Sequence, residues 1–223
     1  MPQPQQTLED VLIVGAGGHG AVVLDILLAA GIYRPMGFID ADPAQTGNII
    51  AGVPVLGPLN LLPKLKQKVR RAIVAIGDNR TRRTYADKLR KEGFELVNAI
   101  HPMSHASPSA TIGRNVVMAA GSIAGTLARI GDSVILNTAA VVDHECEIAE
   151  GAHLCPGAKL AGRVRVGTGA FIGLGACVIQ CLYVGEESII GAGAVVVRDV
   201  DAHDTVVGVP ARSTKRPPLA KSA

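Results

Sequence analysis

The sequence predicts an α/β chain in two parts, a short unit of alternating strands and helices followed by a solenoid of stacked parallel strands. Three observations carry that expectation. Apolar residues return at every sixth position through most of the C-terminal half. A glycine-rich turn follows a four-residue apolar run near the N-terminus, and the composition is aliphatic with almost no rings. Hydrophobic residues fill 48% of the 223 positions but aromatics only 3%, Trp is absent, and the 26 glycines exceed average usage. A core of Val, Ile, Leu and Ala packs as thin layers of small side chains, and the length leaves room for two small domains or one large one.

Counting in sixes from Ile112 passes through Met118, Ala124, Ile130, Leu136 and Val142 and ends at Val196, fifteen apolar positions with no slip of register. The residue after each anchor is often Gly or turn-tolerant, as at Gly113, Gly125, Gly131, Asn137, Asp143 and Gly167. Four residues after an anchor the side chain is small or β-branched, as at Ser122, Val134, Ala140, Ala152 and Ala158. A period of six fits neither a helix nor a plain alternating strand. It fits short flat strands joined by tight turns, with aliphatics stacked coil upon coil.

The first part is shorter. Val11 to Val14 reads as a buried strand running into Gly15-Ala-Gly17-Gly18-His19-Gly20, and His19 to Ala30 reads as a helix with Gly31 as its C-cap. A second strand, Met36 to Ile39, leads to Asp40 and Asp42 about twenty residues past the glycines, the spacing of a dinucleotide fingerprint. Ala72–Ile76, Asn79–Glu92 and Phe94–Ala99 complete a half-Rossmann βαβαβ module, one mononucleotide half with no second half after it. That length favours a nucleotide or nucleotide sugar over NAD, beside the plainer reading of a glycine turn that binds nothing. Pro102 and Pro108 mark the boundary. The expected layout is a flexible segment over 1–10, the α/β domain over 11–101, the solenoid over 102–212 and a tail over 213–223.

Other classes are disfavoured. The net charge is +3 with no Lys/Arg run interleaved with aromatics, so nucleic acid is not an expected partner. No apolar run reaches the ~18 residues of a membrane span, and Met1 to Asp10 lacks a signal-peptide pattern, so the expected compartment is the cytoplasm. Cys146, Cys155, Cys177 and Cys181 form no metal-binding spacing and fall within the repeat, where small buried residues are wanted; they read as reduced structural thiols, and no metal is expected.

The six-residue pattern resembles the hexapeptide-repeat proteins, whose left-handed parallel β-helix takes three hexads per coil; fifteen hexads imply five coils over about 112–201. Together the two halves are similar to the bacterial sugar O-/N-acyltransferases of the sialic-acid O-acetyltransferase type, and within them to nucleotide-sugar 4-N-acetyltransferases acting on GDP-perosamine or UDP-4-amino-sugars. The markers are the strand and turn of Val11–Gly20, Ile76-Gly-Asp-Asn79, Val97-Asn-Ala-Ile-His-Pro102, Asn137-Thr138, Val142-Asp-His144-Glu145-Cys146, His153, Ala161-Gly162 and Gly208-Val-Pro-Ala211. Gln180-Cys181 departs from the Pro-Gly turn common in such repeats. The resemblance implies His144 as catalytic base with Glu145 beside it. It places substrate on Gly15, Gly17, Gly18, His19, Asp40, Asp42 and Asn137, and acetyl-CoA on His153, Gly162, Gly173 and Ala192. It also implies a homotrimer with sites between neighbouring β-helices, for which Ala120, Ala139 and Leu174 are candidate contacts.

The chemistry agrees. Acyl transfer from a thioester needs a base for the attacking amine and donors for the developing oxyanion. An imidazole titrates near neutrality and suits the first task, and backbone N–H groups at glycine corners suit the second. His144 follows the anchor Val142 by two residues, so it need not point inward; a surface histidine on a polar corner is the alternative. Adjacent strand residues face opposite ways, so Glu145 reaches His144 only if a corner intervenes. The expected function is acetyl transfer from acetyl-CoA to the 4-amino group of a nucleotide-linked 4-amino-6-deoxyhexose for surface glycan (O-antigen) synthesis. O-acetylation of a sialic acid or similar sugar and a non-catalytic nucleotide-sugar-binding scaffold are the alternatives.

Overall fold

The computed structural model describes residues 8–215; the first seven residues of the expected flexible segment and positions 216–223 of the expected tail lie outside it. The chain opens with β1 (Glu9–Val14), α1 (Gly18–Ala30), β2 (Tyr33–Ile39), β3 (Ile49–Ile50), β4 (Val53–Gly57), α2 (Leu62–Leu65), β5 (Arg71–Val74), α3 (Asn79–Lys91) and β6 (Glu95–Leu96). One sheet runs in the order β3-β4-β2-β1-β5-β6, with β2, β1, β5 and β6 parallel. The edge pair β3–β4 was not expected from sequence, because its strands are short and carry no clear alternation. The first strand begins at Glu9, inside the segment expected to be flexible, and its start is held by Arg71, which pairs with Glu9 at 2.8 Å. Gly31 caps α1 in the left-handed conformation and donates to Leu27 O at 3.1 Å.

After β6 the chain becomes a triangular prism, the left-handed β-helix of hexapeptide repeats. Each coil gives a two-residue strand to each of three walls, and strands stack in parallel on their equivalents eighteen residues away, as Val141–Val142 does on Ile123–Ala124. The interior is a column of the anchor aliphatics with the small residues two positions before them, including Leu136, Leu154, Leu160, Ala140, Ala158 and Ala176, all buried. This is the thin ring-free core expected from composition.

Two boundaries move. The expected fourth strand, Phe94–Ala99, is divided: Glu95–Leu96 closes the α/β sheet, whereas Ala99–Ile100 pairs with Val117–Met118 as the first rung of the prism. Asn98 makes the crossing, donating to Gly113 O at 2.8 Å and accepting from Val116 N–H at 2.9 Å. Ala99–Ile100 and His105–Ala106 are therefore two further hexads, and Pro102 and Pro108 sit in their turns without interrupting the repeat. The second wall takes one strand from every coil and has six strands, so the prism has six coils, one more than expected. Past Val196 the first wall gains Thr205–Val207, and Arg212–Ser213 folds back antiparallel on it.

The α/β unit is seated on the prism. Val23, Ile26 and Leu27 of α1 pack in one cluster with Ala99, Val117 and Ile135 on the outer face of the first wall. One edge of the prism, where third wall turns into first, docks against β5 and α3. Its corner residues Asn115, Ser133, Gly151, Gly169 and Glu187 all have positive φ and recur every eighteen residues. Each meets the α/β unit or helps a neighbour to: Asn115 Oδ1 accepts from Val74 N–H at 2.7 Å, and its Nδ2 donates to Ser133 Oγ at 3.0 Å.

Replacing Asn115 by Ala strands the Val74 N–H and leaves at φ +59° a residue that tolerates the left-handed region less well than Asn. The expected loss is about 2–4 kcal/mol, from an unsatisfied buried donor plus left-handed backbone strain. Chemical denaturation measures it, and Asn115→Gly, which relieves only the strain, recovers part of the loss.

Candidate active site

The first constellation is a cleft of about 350 Å³ at the carboxyl ends of β1, β2 and β5, lined among others by Gly15, Gly17, Gly18, His19, Asp40, Thr81 and Tyr85. Ligands of parallel α/β sheets bind at this end. Gly15 has φ +112°, and a β-carbon there would lie 2.7 Å from Ala75 O, so only glycine lets β1 turn so close to β5. At Gly17 and Gly18 a β-carbon would meet nothing, which leaves open space toward the cleft. No side chain caps α1, so its first N–H groups remain free for an anion.

The acidic pair divides. Asp40 lines the cleft and pins the glycine turn: its Oδ2 accepts from Ala16 N–H at 2.6 Å and its Oδ1 from Asp42 N–H at 2.9 Å. Asp42 is exposed, does not line the cleft, and accepts from Ala44 N–H at 2.9 Å to cap the turn Pro43–Gln45. One oxygen of the carboxylate expected at the substrate is thus engaged in an Asx-type turn.

His19 lines the cleft but does not cap α1, and its Nε2 is buried without a partner. Burial, then the nearby Arg82 guanidinium, lower its pKa to about 4. Its ring lies 6.4 Å from that of His153, which stands edge-on to Phe171 at 5.3 Å. His153 points outward from the first wall, the face that the α/β unit covers, and is only 8% exposed. Burial, then Arg82 and His19, lower its pKa to about 4 as well. The residue expected on acetyl-CoA is therefore enclosed with His19 beneath the nucleotide-side cleft. Asn137, expected at the substrate, is half-buried beside it: Oδ1 accepts from Thr138 N–H at 2.8 Å and Nδ2 lies 3.3 Å from His153 Nε2.

The second constellation is at the corner between second and third walls. Glu145 has φ +57°, so a corner does separate it from His144, and Glu145 Oε2 lies 3.0 Å from His144 Nδ1. In the tautomer that places the proton on Nδ1 against this oxygen, Nε2 carries the lone pair. The ring lies over Gly162, one coil on: a β-carbon there would stand 2.3 Å from Nε2 and 2.4 Å from Cε1. The Gly162 N–H donates to no protein acceptor among the described residues, because Ala161 before it lacks the side-chain oxygen with which Asn137 and Asp143 cap the next N–H. An imidazole and an unpaired backbone N–H thus share one edge.

Gly173 and Ala192 do not join that edge. They lie on the corner between first and second walls, where Gly173 is buried with a would-be β-carbon 2.5 Å from Ile190 O, while Ala192 is exposed. Gly173 is needed for close stacking of coils and presents nothing to a cofactor. The thiols also differ from expectation: Cys146 and Cys155 are buried, and burial raises both pKa values, that of Cys155 to about 11, whereas Cys181 is exposed at a corner and Cys177 half-buried. Among the described residues no His/Cys/Asp/Glu group is arranged to hold a metal.

Sequence reasoning missed Asn79 and Arg82 as a functional pair. Arg82 is 0% exposed and donates to Ser133 O, Ile76 O, Gly77 O, Asn79 Oδ1 and Gly151 O at 2.8–3.0 Å. Asn79 Nδ2 donates to Gly169 O at 2.9 Å. Their i, i+3 spacing puts both on one helix face, but an arginine with no acidic partner is rarely buried, so the pattern alone gave no signal.

Residues 10–89 match the PglD N-terminal domain family. The chain is 44% identical to a histidine-to-alanine variant of GDP-perosamine N-acetyltransferase from Caulobacter crescentus, solved with CoA and GDP-perosamine, with a TM-score of 0.90 over 94% of this chain and 99% of that one. It is 39% identical to the acetyltransferase domain of PglB from Neisseria gonorrhoeae in complex with acetyl coenzyme A, with a TM-score of 0.87 over 92% and 99%. It is 37% identical over 120 residues to UDP-N-acetylbacillosamine N-acetyltransferase from Bacillus subtilis, a match that spans 51% of this chain and about half, 52%, of that curated relative. The chain belongs to the nucleotide-sugar N-acetyltransferase family.

Gly162→Ala tests the second constellation. The backbone there is not in the left-handed region, and the three atoms nearest the new methyl all belong to the His144 ring. The ring must swing off its seat, so kcat is expected to fall by about 10²-fold, the scale of losing a positioned base, with the melting temperature little changed.

Proposed function

We propose that the protein transfers the acetyl group of acetyl-CoA to the 4-amino group of a nucleotide-linked 4-amino-6-deoxyhexose. The observation that carries this reading is His144, its Nδ1 held by Glu145 and its Nε2 set over Gly162. The sugar amine attacks the thioester carbon, His144 Nε2 takes the amine proton, and the Gly162 N–H faces the developing oxyanion. Collapse breaks the C–S bond and the thiolate of CoA regains the proton from the imidazolium. The reaction makes an amide and free CoA, with no acyl-enzyme. Similarity to GDP-perosamine N-acetyltransferase, 44% identical over 94% of this chain, supports GDP-perosamine over a UDP-amino sugar, for which the 37% match covers 51% of the chain. No described helix is long and apolar enough to cross a membrane; we place the enzyme in the cytoplasm, where acetyl-CoA and nucleotide sugars are made, on a route to surface glycan.

The same geometry supports a homotrimer. The cleft lies over the first wall, whereas His144 occupies the edge between second and third walls, the edge that faces away from the first. One chain therefore cannot bring its own His144 to a sugar held in its own cleft. A closed ring in which the His144 edge of each copy meets the cleft of the next completes three equivalent sites. The smooth corner of Ala120, Ala139 and Leu174, the last 58% exposed, suits such contact.

His144→Ala is expected to lower kcat by about 10²- to 10⁴-fold. Gly18→Glu, which sets a carboxylate where phosphate would bind, disables the cleft instead. Mixed in equal amounts and reassembled, the two inactive variants regain about a quarter of wild-type activity if each site draws on two neighbours in a ring, and none if His144 and cleft act within one chain.

Titration with GDP, UDP, CDP and NAD checks the ligand class. A nucleoside diphosphate is expected to bind, and Asp40→Ala to weaken it more than it weakens acetyl-CoA. Tight NAD binding without response to any diphosphate would overturn the reading.

A further inference from the structure

Arg82 is the only fully buried cation among the described residues, and every group that accepts a hydrogen bond from it is neutral, although the Asp78 carboxylate is near enough to act on its charge. An arginine confined to neutral partners is a poor choice for stability alone, since an apolar residue of similar volume avoids the cost of desolvating a charge. Its contacts reach two places. Nη1 donates at 3.0 Å to both Ile76 O and Gly77 O, residues that line the cleft. Nε and Nη2 hold the carbonyls of Ser133 and Gly151 on successive coils of the prism.

We propose that Arg82 is a positioning residue for acetyl transfer, locking the Ile76–Gly77 wall of the nucleotide cleft to the β-helix and setting the hydrogen-bonding state of the His19–His153 pair. The inference rests on the reading of that cleft as the nucleotide-sugar seat. The second half of the role concerns His153, whose own hydrogen bonds require a neutral ring. Thr138 N–H donates to Asn137 Oδ1, which fixes the amide so that Nδ2 faces His153 Nε2. That nitrogen accepts, so His153 is neutral with its proton on Nδ1, a buried atom that has no hydrogen-bond partner of its own. Protonating it would set N–H against N–H and break the chain from Thr138 through Asn137 to His153. Around His153 stand Ile135 and Phe171 of the wall, His19 of α1, Asn137 of the corner and the backbone of Gly77, and Arg82 of α3 is the charged group acting on it. Burial and that cation together keep both imidazoles neutral, with pKa values of about 4.

Two substitutions separate the parts. Arg82→Lys keeps a charge but loses the planar fork; Arg82→Met keeps the length and loses both. Steady-state KM is measured for each substrate, and the His153 ring is titrated by NMR in the free protein. Both variants are expected to raise KM for the nucleotide sugar tenfold or more while KM for acetyl-CoA changes less than threefold. Only Arg82→Met moves the His153 midpoint, upward from about 4 toward the ordinary imidazole value. Should Arg82→Met fail to fold, Arg82→Lys decides alone: a raised sugar KM with an unmoved titration supports the role. An unchanged sugar KM in a folded variant, or an unmoved His153 midpoint in folded Arg82→Met, overturns it. If the wild-type protein itself binds no nucleotide sugar, the reading of the cleft has failed instead, and the titration still reports on Arg82.

Discussion

The docking of two unlike halves depends on how Asn79 and Arg82 satisfy carbonyls along one edge of a prism. A solenoid corner in the left-handed conformation leaves its carbonyl without a ladder partner in its own coil. On this edge the carbonyls of Ser133, Gly151 and Gly169 recur every eighteen residues and accept from the two side chains of α3. A helix rise of 1.5 Å per residue puts Asn79 and Arg82 about one turn apart, close to the ~4.8 Å between stacked strands. Arg82 by itself holds two successive coils, and Asn79 holds the next. Asn115 below and the Arg83–Glu187 pair above extend the same seam.

That seam decides the shape of the catalytic problem. Because α1 covers the first wall and α3 the adjoining edge, the glycine-turn cleft and His144 are on opposite sides of one chain. On the proposed assembly the distance is closed by a neighbour rather than by a loop movement. The division also separates two electrostatic environments. His144 stands in solvent with a carboxylate on Nδ1, suited to accept a proton at Nε2. His19 and His153 are enclosed with a cation and stay neutral, suited to hold a fixed arrangement.

Several parts were legible in the residues because they arise from local pattern. The six-residue period reports stacking directly, since every anchor must face the same column, and fourteen of the fifteen anchors from Ile112 onward are buried in one core cluster, with only Ile112 half-buried at its edge. The glycine roles at Gly15, Gly17 and Gly18 follow from the strand–turn–helix context. Others were misread because their meaning depends on what lies opposite. Asp42 has the spacing of a ribose ligand but spends its carboxylate on Ala44 N–H. Ile100 and Ala106 fit the hexad count, yet two prolines made that stretch look like a linker, when a turn position accommodates proline without loss.

What the sequence by itself determined is therefore periodic or local: an α/β half followed by a β-helix, the glycine turn, the corner histidine and its neighbouring carboxylate. Only the tertiary structure decided which residues meet across the seam. It put His153 beneath α1 and left His144 on the far edge, and it showed Glu145 reaching His144 around a corner. It also revealed Arg82, a charge buried among carbonyls that are 51 and 69 residues away in sequence. The physical reason is that a repeat specifies contacts at a fixed sequence separation, whereas the docking of one domain on another is set by which corner offers unpaired carbonyls and which wall offers an uncovered apolar face.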